Sequence, residues 1–113
     1  MNESQLAKQW IKRLKTDLVQ AGAKPVIFRH VTMYSSGIPD YSVTVGPVTV
    51  WLEFKKWPRG KISSRQQAVL NRLPYGFVVF VGHLELEKVQ LSTILPILLT
   101  GMVRPTEQES PGL

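Results

Sequence analysis

The segment from Asp40 to Lys55 alternates apolar and polar residues on both sides of Gly46-Pro47. Successive side chains of a strand point to opposite faces of a sheet, so the alternation predicts a hairpin of two antiparallel strands. If residues whose numbers sum to 93 face each other, one face is wholly apolar and the other is polar apart from Trp51. Pro47 suits neither central position of a primed two-residue turn well, so a longer loop or a bulge that shifts this register stays open.

The polar face of this hairpin carries the candidate chemistry. In the register above, Asp40 lies opposite Glu53, and Lys55 follows two residues later on the same face. Like charges opposite each other on a sheet are destabilising, and a divalent cation such as Mg²⁺ or Mn²⁺ would offset the repulsion. The alternative is a surface hairpin on which all three side chains are simply solvated.

Three short motifs in this order resemble a known family. The motifs are Pro39-Asp40, Glu53-Phe54-Lys55 and Ser63-Ser64-Arg65-Gln66. Together they resemble the PD-(D/E)xK nucleases, and the Ser-x-x-Gln segment resembles their VRR-NUC branch. Gly37 ahead of the proline, a basic loop after the lysine and the strand-like Gly76-Phe77-Val78-Val79 also match that branch, so the resemblance covers roughly residues 3 to 82.

The resemblance implies a restriction-endonuclease-like α/β fold with a mixed central sheet flanked by helices. The order of predicted elements agrees with this: helix, three strands, helix and strand, followed by a C-terminal helix. It further implies that Asp40, Glu53 and the backbone carbonyl of Phe54 hold one or two Mg²⁺ ions, for which Mn²⁺ would substitute. Glu3 would assist them from the first helix.

The same resemblance implies the reaction. Lys55 would position or activate the attacking water and Gln66 would steady it, so that the chain acts as a metal-dependent, structure-selective DNA endonuclease. Stand-alone domains of this branch are typical of phages, and similar small nucleases resolve Holliday junctions as homodimers. Other substrates remain open, including flaps, nicked duplex and RNA, as does a catalytically silent nucleic-acid-binding protein of the same fold.

The first helix is predicted over residues 3 to 21, with Gly22 as its C-terminal cap. Leu6, Trp10 and Leu14 recur at the helical period. Glu3 lies at the edge of this buried stripe, so two roles compete for it: favouring the positive helix N-terminus, or reaching the metal.

Residues 26 to 34 are rich in β-branched and aromatic side chains and predict a strand beside the hairpin. His30 within it is interpreted mainly as a structural residue. Residues 34 to 37 form a turn-prone loop whose small residues would let a phosphate backbone come close.

A basic loop follows the hairpin, and its residues are typical of a nucleic-acid contact because cations hold phosphates and an indole stacks on a base. The predicted contact residues are Lys56, Trp57, Arg59, Lys61 and Arg65. The alternative is an ordinary solvated connection in which the indole folds back on the core.

Ser63 is predicted to be the N-cap of a second helix, with Gln66 at capping-box spacing. The glutamine could close the cap, reach the metal site, or do both, and Gln67 replaces it if the helix begins one residue later. The helix should end at Pro74. Residues 76 to 81 are apolar throughout, which predicts a central strand buried on both faces.

Residues 1 to 103 are predicted to form a single nuclease domain, and residues 104 to 113 a disordered tail. The apolar stretch from Val89 to Leu99 is too short to span a bilayer; it could cover the sheet or form a dimer contact.

Fourteen Lys and Arg against eight Asp and Glu give a net charge of +6, which favours a polyanionic partner. We expect that partner to be branched DNA rather than a membrane; a basic peripheral membrane or protein-interaction module is the rival interpretation. The lack of cysteine indicates neither a disulfide framework nor a thiolate metal site. The cytoplasm is therefore the expected compartment, that of the host if the chain is phage-encoded.

Overall fold

A computed structural model describes residues 1–31 and 37–102 of the chain. Its elements are helix α1 (Glu3–Gln20), strands β1 (Val26–Arg29), β2 (Tyr41–Val45) and β3 (Val48–Lys56), helix α2 (Ser64–Arg72), strand β4 (Gly76–Val81) and helix α3 (Leu84–Leu99). The predicted order of helices and strands is confirmed. Strand β1 ends at Arg29 and does not continue through residues 30 and 31 as predicted. The rest of the expected strand (residues 32 to 34), the loop residues before Gly37 and the tail from residue 104 lie outside the described residues.

The hairpin has the predicted register. Tyr41 lies opposite Leu52 and Val45 lies opposite Val48, as residues whose numbers sum to 93 should. Gly46 has a positive φ of 55°, and the ring of the next residue holds its own φ near −65°. A positive value followed by a negative one matches a type II′ turn, so the proline is accommodated without a bulge.

The sheet is mixed and separates two layers of helices. The strand order is β1-β2-β3-β4, with β4 parallel to β3 and the other neighbours antiparallel. The apolar face of the hairpin packs in one core with buried residues of α1 and α3, including Trp10, Leu14, Ile94 and Leu98. Helix α2 lies on the opposite face, where Gln66 contacts Glu53. The chain is therefore a small α/β fold.

Strand β4 does not lie centrally, as its apolar sequence predicted; it is the last strand of the order. Val79 and Val81 are buried in the core, whereas Val78 and Phe80 are only half-buried on the other face. The residues of β4 are apolar throughout because both faces of this edge strand are at least partly covered by other parts of the chain. At that edge, the side-chain amide of Gln90 accepts from Phe80 N over 2.8 Å and donates to Phe80 O over 2.9 Å.

The apolar C-terminal stretch from Val89 to Leu99, predicted either to cover the sheet or to form a dimer contact, lies in helix α3. It continues through Pro96, and Ile94 and Leu98 on it are buried against the sheet. The stretch therefore covers the core. Among the described residues, no helix combines the length and the apolarity that crossing a membrane requires.

Candidate active site

One end of the sheet collects the predicted site residues. Since β2 runs antiparallel to both neighbours and β4 runs parallel to β3, the start of β2 meets the ends of the other three strands there. Asp40 stands just before β2, and Glu53, Phe54 and Lys55 stand near the end of β3. The register thus brings together residues that are more than ten positions apart in the sequence.

The side chain of Asp40, rather than its backbone, accepts the next hydrogen bond from β3 beyond the paired residues of β2. Its Oδ2 accepts a hydrogen bond from Phe54 N over 2.9 Å, while its carbonyl accepts from His30 N over 2.8 Å. The N–H and C=O of one strand residue point to the same side. The carbonyl of Phe54 therefore lies on the side of β3 that faces Asp40.

Glu53 is the buried carboxylate of the site, with 3% of its surface exposed. Its Oε2 accepts a hydrogen bond from Gln66 Nε2 over 3.2 Å and lies 3.6 Å from Lys55 Nζ. Burial, and after it the charge of the neighbouring Asp40, raise the pKa of Glu53 to about 7 against the opposing effect of Lys55. The two carboxyl groups are therefore held together at an electrostatic cost.

Gln66 closes the predicted cap and also contacts Glu53. Its Oε1 accepts from Ser63 N and its backbone N–H donates to Ser63 Oγ, which completes the capping box of α2. With the amide oxygen engaged in the cap, the amide nitrogen is directed at Glu53. Gln67 is not the substitute, because its side chain donates to Asn71 on the exposed side of the helix.

Glu3 reaches the site from the first residue of α1. Its Oε2 accepts from Lys56 N over 3.0 Å, so it does more than favour its own helix terminus. It also lines a cleft of about 270 Å³ together with Asp40 and Phe54. Beyond Leu52, β3 has no partner residue on β2. There the carboxylate of Asp40 accepts from Phe54 N and that of Glu3 accepts from Lys56 N.

The donor set fits Mg²⁺ better than a metal that needs many side-chain ligands. Among residues 1–31 and 37–102, no three His, Cys, Asp or Glu side chains converge as a metal-binding group. Magnesium, however, is commonly held by one or two carboxylates, with waters and substrate oxygens completing its shell. Asp40, Glu53 and the Phe54 carbonyl would offer such a set. Burial is the main cause of the raised pKa of Glu53, and the Asp40 charge, which is the second cause, is one that a cation would offset.

The predicted nucleic-acid contacts lie beside this site. Lys56, Trp57, Arg59, Lys61 and Arg65 are all exposed. Gly60 N donates to Lys56 O over 2.7 Å, which closes the loop into a tight turn. The indole of Trp57 is 42% exposed and meets the rings of Phe80 and His83 edge-on, so it is partly packed and partly available.

Two residues of the cleft were not predicted from the sequence, Arg29 and Ser4. Both line it, and Arg29 Nη2 donates to Ser4 Oγ over 3.2 Å. Pairing β1 with the hairpin places Arg29 opposite Tyr41 and hence beside Asp40, a signal that needed the register between strands. His30 has the expected structural contacts, a 2.9 Å hydrogen bond with Ser42 and stacking on Trp51, yet it also lines the cleft.

Comparisons with protein-family models, with curated proteins and with solved structures give no match to this chain. Its function must therefore be argued from the residues and from the geometry at this end of the sheet. The central features are the buried Glu53, the adjacent Asp40 and the two nitrogen donors on one carboxylate oxygen.

Proposed function

We propose that this chain is a metal-dependent endonuclease that hydrolyses phosphodiester bonds in DNA, with a restriction-endonuclease-like fold and a site of the PD-(D/E)xK type. One observation carries the proposal. The buried Glu53 carboxylate lies beside Asp40 and receives both Lys55 and Gln66 on a single oxygen. A solvated surface hairpin, the alternative, would leave Glu53 exposed and its pKa near the ordinary value of about 4.3.

Asp40, Glu53 and the carbonyl of Phe54 would hold Mg²⁺, with Glu3 next to them in the cleft. When bound, Mg²⁺ supplies Lewis-acid stabilisation of the charge that develops on the phosphate. The chain's own contribution is to present acceptor groups on a rigid strand end. Because Phe54 N holds the Asp40 carboxylate, that ligand is oriented before any ion arrives.

Lys55 and Gln66 act on the attacking water and on the phosphate. The ammonium of Lys55, 3.6 Å from Glu53, can donate to a phosphate oxygen or orient the water. The Gln66 amide keeps the Glu53 carboxylate and the water in register. In the reaction a bond forms between water oxygen and phosphorus, the ester bond breaks, and the leaving oxygen takes up a proton.

DNA is the proposed substrate because the basic loop after β3 lies next to the carboxylates. Lys56 connects the two directly, since its backbone N–H donates to Glu3 at the cleft. We further propose a preference for branched DNA such as a Holliday junction, which rests on the resemblance to the VRR-NUC branch. A homodimer would then present two active sites to two strands.

The experiment is cleavage of labelled four-way junction, flap, nicked duplex, linear duplex and RNA, each with Mg²⁺ and with EDTA. We expect Mg²⁺-dependent cleavage that is fastest on the junction and is lost in Asp40→Asn. Binding without cleavage of any substrate, under both Mg²⁺ and Mn²⁺, would identify a silent binding protein instead. Cleavage that persists in EDTA would reject the metal-dependent mechanism.

A further inference from the structure

Helix α1 carries a line of cations that the proposed active site does not use. Lys8, Lys12 and Lys15 follow one another at spacings of four and three residues, so they share one stripe of the helix. All three are exposed, and none of them forms an ion pair with a carboxylate within the described residues. Their charges are free to act on a partner.

The stripe begins at the cleft. Ser4 stands one turn before Lys8 on the same side of α1, and its hydroxyl accepts the hydrogen bond from Arg29. Arg29 lines the cleft with Asp40 and Glu3. From Ser4 to Lys15 the helix rises about 16 Å, at 1.5 Å per residue. Four cations therefore lead from the carboxylates along the outer surface of α1.

This surface and the basic loop flank the site from opposite sides. Arg29 ends β1, at one edge of the sheet, whereas the loop of residues 57–61 follows β3 and packs against β4 through Trp57 and Phe80. Asp40, just before β2, and Phe54, on β3, lie between them. With strands about 4.8 Å apart, Arg29 is about 10 Å from the β3 backbone.

The stripe lies on the exposed side of α1, where Lys12 lines a cavity with Leu91 of α3. Helix α3 packs on another side of α1, where Trp10 Nε1 and Arg13 both donate to Glu87. Arg13 is thereby neutralised, and the lysines of the stripe are not covered by α3. The exposed positions therefore remain cationic along their length.

We infer that Arg29, Lys8, Lys12 and Lys15 form a second nucleic-acid-binding surface, which holds the phosphates of one duplex arm leaving the cleft while the basic loop holds the other side. The inference rests on the proposed function for its partner, DNA. A polyphosphate fits a linear row of spaced ammonium groups, since each lysine can neutralise one phosphate. An anionic membrane is less favoured because the row starts at a cleft lined by the carboxylates of Glu3 and Asp40, which an anionic surface would repel.

The test compares two triple variants that lose the same charge. The stripe variant is Lys8→Ala, Lys12→Ala, Lys15→Ala; the control is Lys24→Ala, Arg72→Ala, Lys88→Ala, three exposed cations outside the stripe. Alanine has the highest helix propensity, so α1 should persist in the stripe variant, which circular dichroism checks. Binding to a four-way junction is measured in EDTA, where the proposed reaction cannot proceed, over a series of salt concentrations.

We expect the log-log salt slope to become shallower by about 2 to 3 in the stripe variant, because each lost phosphate contact removes about 0.9, and to change by less than about 0.5 in the control. Arg29→Ala should remove about one further unit, and Arg29→Lys should restore most of it. Equal slopes in both triple variants would overturn the inference, as would stripe-dependent binding to phosphatidylserine vesicles with an unchanged DNA slope. If the wild-type protein does not cleave DNA in Mg²⁺, the proposed function fails. The binding test is independent of that result, because binding in EDTA does not require cleavage.

Discussion

The side-chain amide of Gln66 donates to Glu53 Oε2 over 3.2 Å while its oxygen accepts from Ser63 N. Gln66 therefore caps the N-terminal end of α2 and also supports Glu53, the buried carboxylate of β3. Because one amide makes both contacts, a change at Gln66 alters the helix start and the support of Glu53 together. The two effects can be separated, since Ser63 takes part only in the cap.

Ser63→Ala should weaken the cap and leave the contact between Gln66 and Glu53 in place. We expect it to lower the free energy of unfolding by about 1 kcal/mol and to leave cleavage within about threefold of wild type. Gln66→Ala should have a similar effect on stability but lower the cleavage rate at least tenfold, because Glu53 loses its amide partner. Urea unfolding and initial rates measure the two quantities. Equal loss of cleavage in both variants would show that Gln66 acts through the cap alone.

The pKa of Glu53 predicts an unusual dependence of stability on pH. Because the folded state raises that pKa to about 7, above the ordinary value near 4.3, the folded state binds the proton more tightly than the unfolded state does. The contribution to stability is complete below about pH 4 and is lost as pH rises through about 7. In EDTA, we therefore expect the Tm contribution of Glu53 to fall between about pH 5 and pH 8.

Glu53→Gln is the control for this prediction, because the amide does not titrate. The fall in Tm between pH 5 and pH 8 should be smaller in Glu53→Gln than in wild type. Mg²⁺ should raise the Tm of wild type more at pH 8 than at pH 5, since the ion binds the ionised form. If wild type and variant show the same pH profile, Glu53 does not carry the raised pKa.

The hairpin could be predicted from sequence because apolar and polar side chains alternate along it, which fixes the face of each residue. The Tyr41–Leu52 register also required the assumption that Gly46-Pro47 is the turn. The cap at Ser63 could be predicted because it depends on neighbours three residues away. The position of β4 could not, since apolar residues on both faces describe a covered edge strand as well as a central one. Arg29 was missed because its place beside Asp40 depends on pairing between β1 and β2, which the sequence does not state.

Gln90 is predicted to protect the outer edge of the sheet. Its amide satisfies both the N–H and the C=O of Phe80, as a neighbouring strand would, and an open edge invites pairing with other chains. Gln90→Leu should lower the free energy of unfolding by about 1 to 3 kcal/mol, because it leaves half-buried polar groups without partners. It should also increase aggregation, measured by light scattering.

The comparison for Gln90→Leu is Gln20→Leu, at an exposed position at the end of α1. This change adds the same apolar side chain to the surface without removing an edge contact. We expect it to alter stability by less than about 0.5 kcal/mol and to leave light scattering close to wild type. Similar aggregation of both variants would mean that added surface hydrophobicity, rather than the opened edge, is responsible.

Gly101 is predicted to be required for stability but not for catalysis. A Cβ at this residue would lie 1.9 Å from Val45 O and 3.1 Å from Val48 Cβ, so α3 can meet the hairpin turn this closely only without a side chain. Gly101→Ala should therefore lower the free energy of unfolding by at least about 2 kcal/mol. The turn is at the end of the sheet opposite Asp40, so the cleavage rate below the lowered Tm should stay within about twofold. The neighbouring Thr100→Ala adds no atoms near the turn and should cost less than about 1 kcal/mol, and an equal loss in both variants would exclude the close approach as the cause.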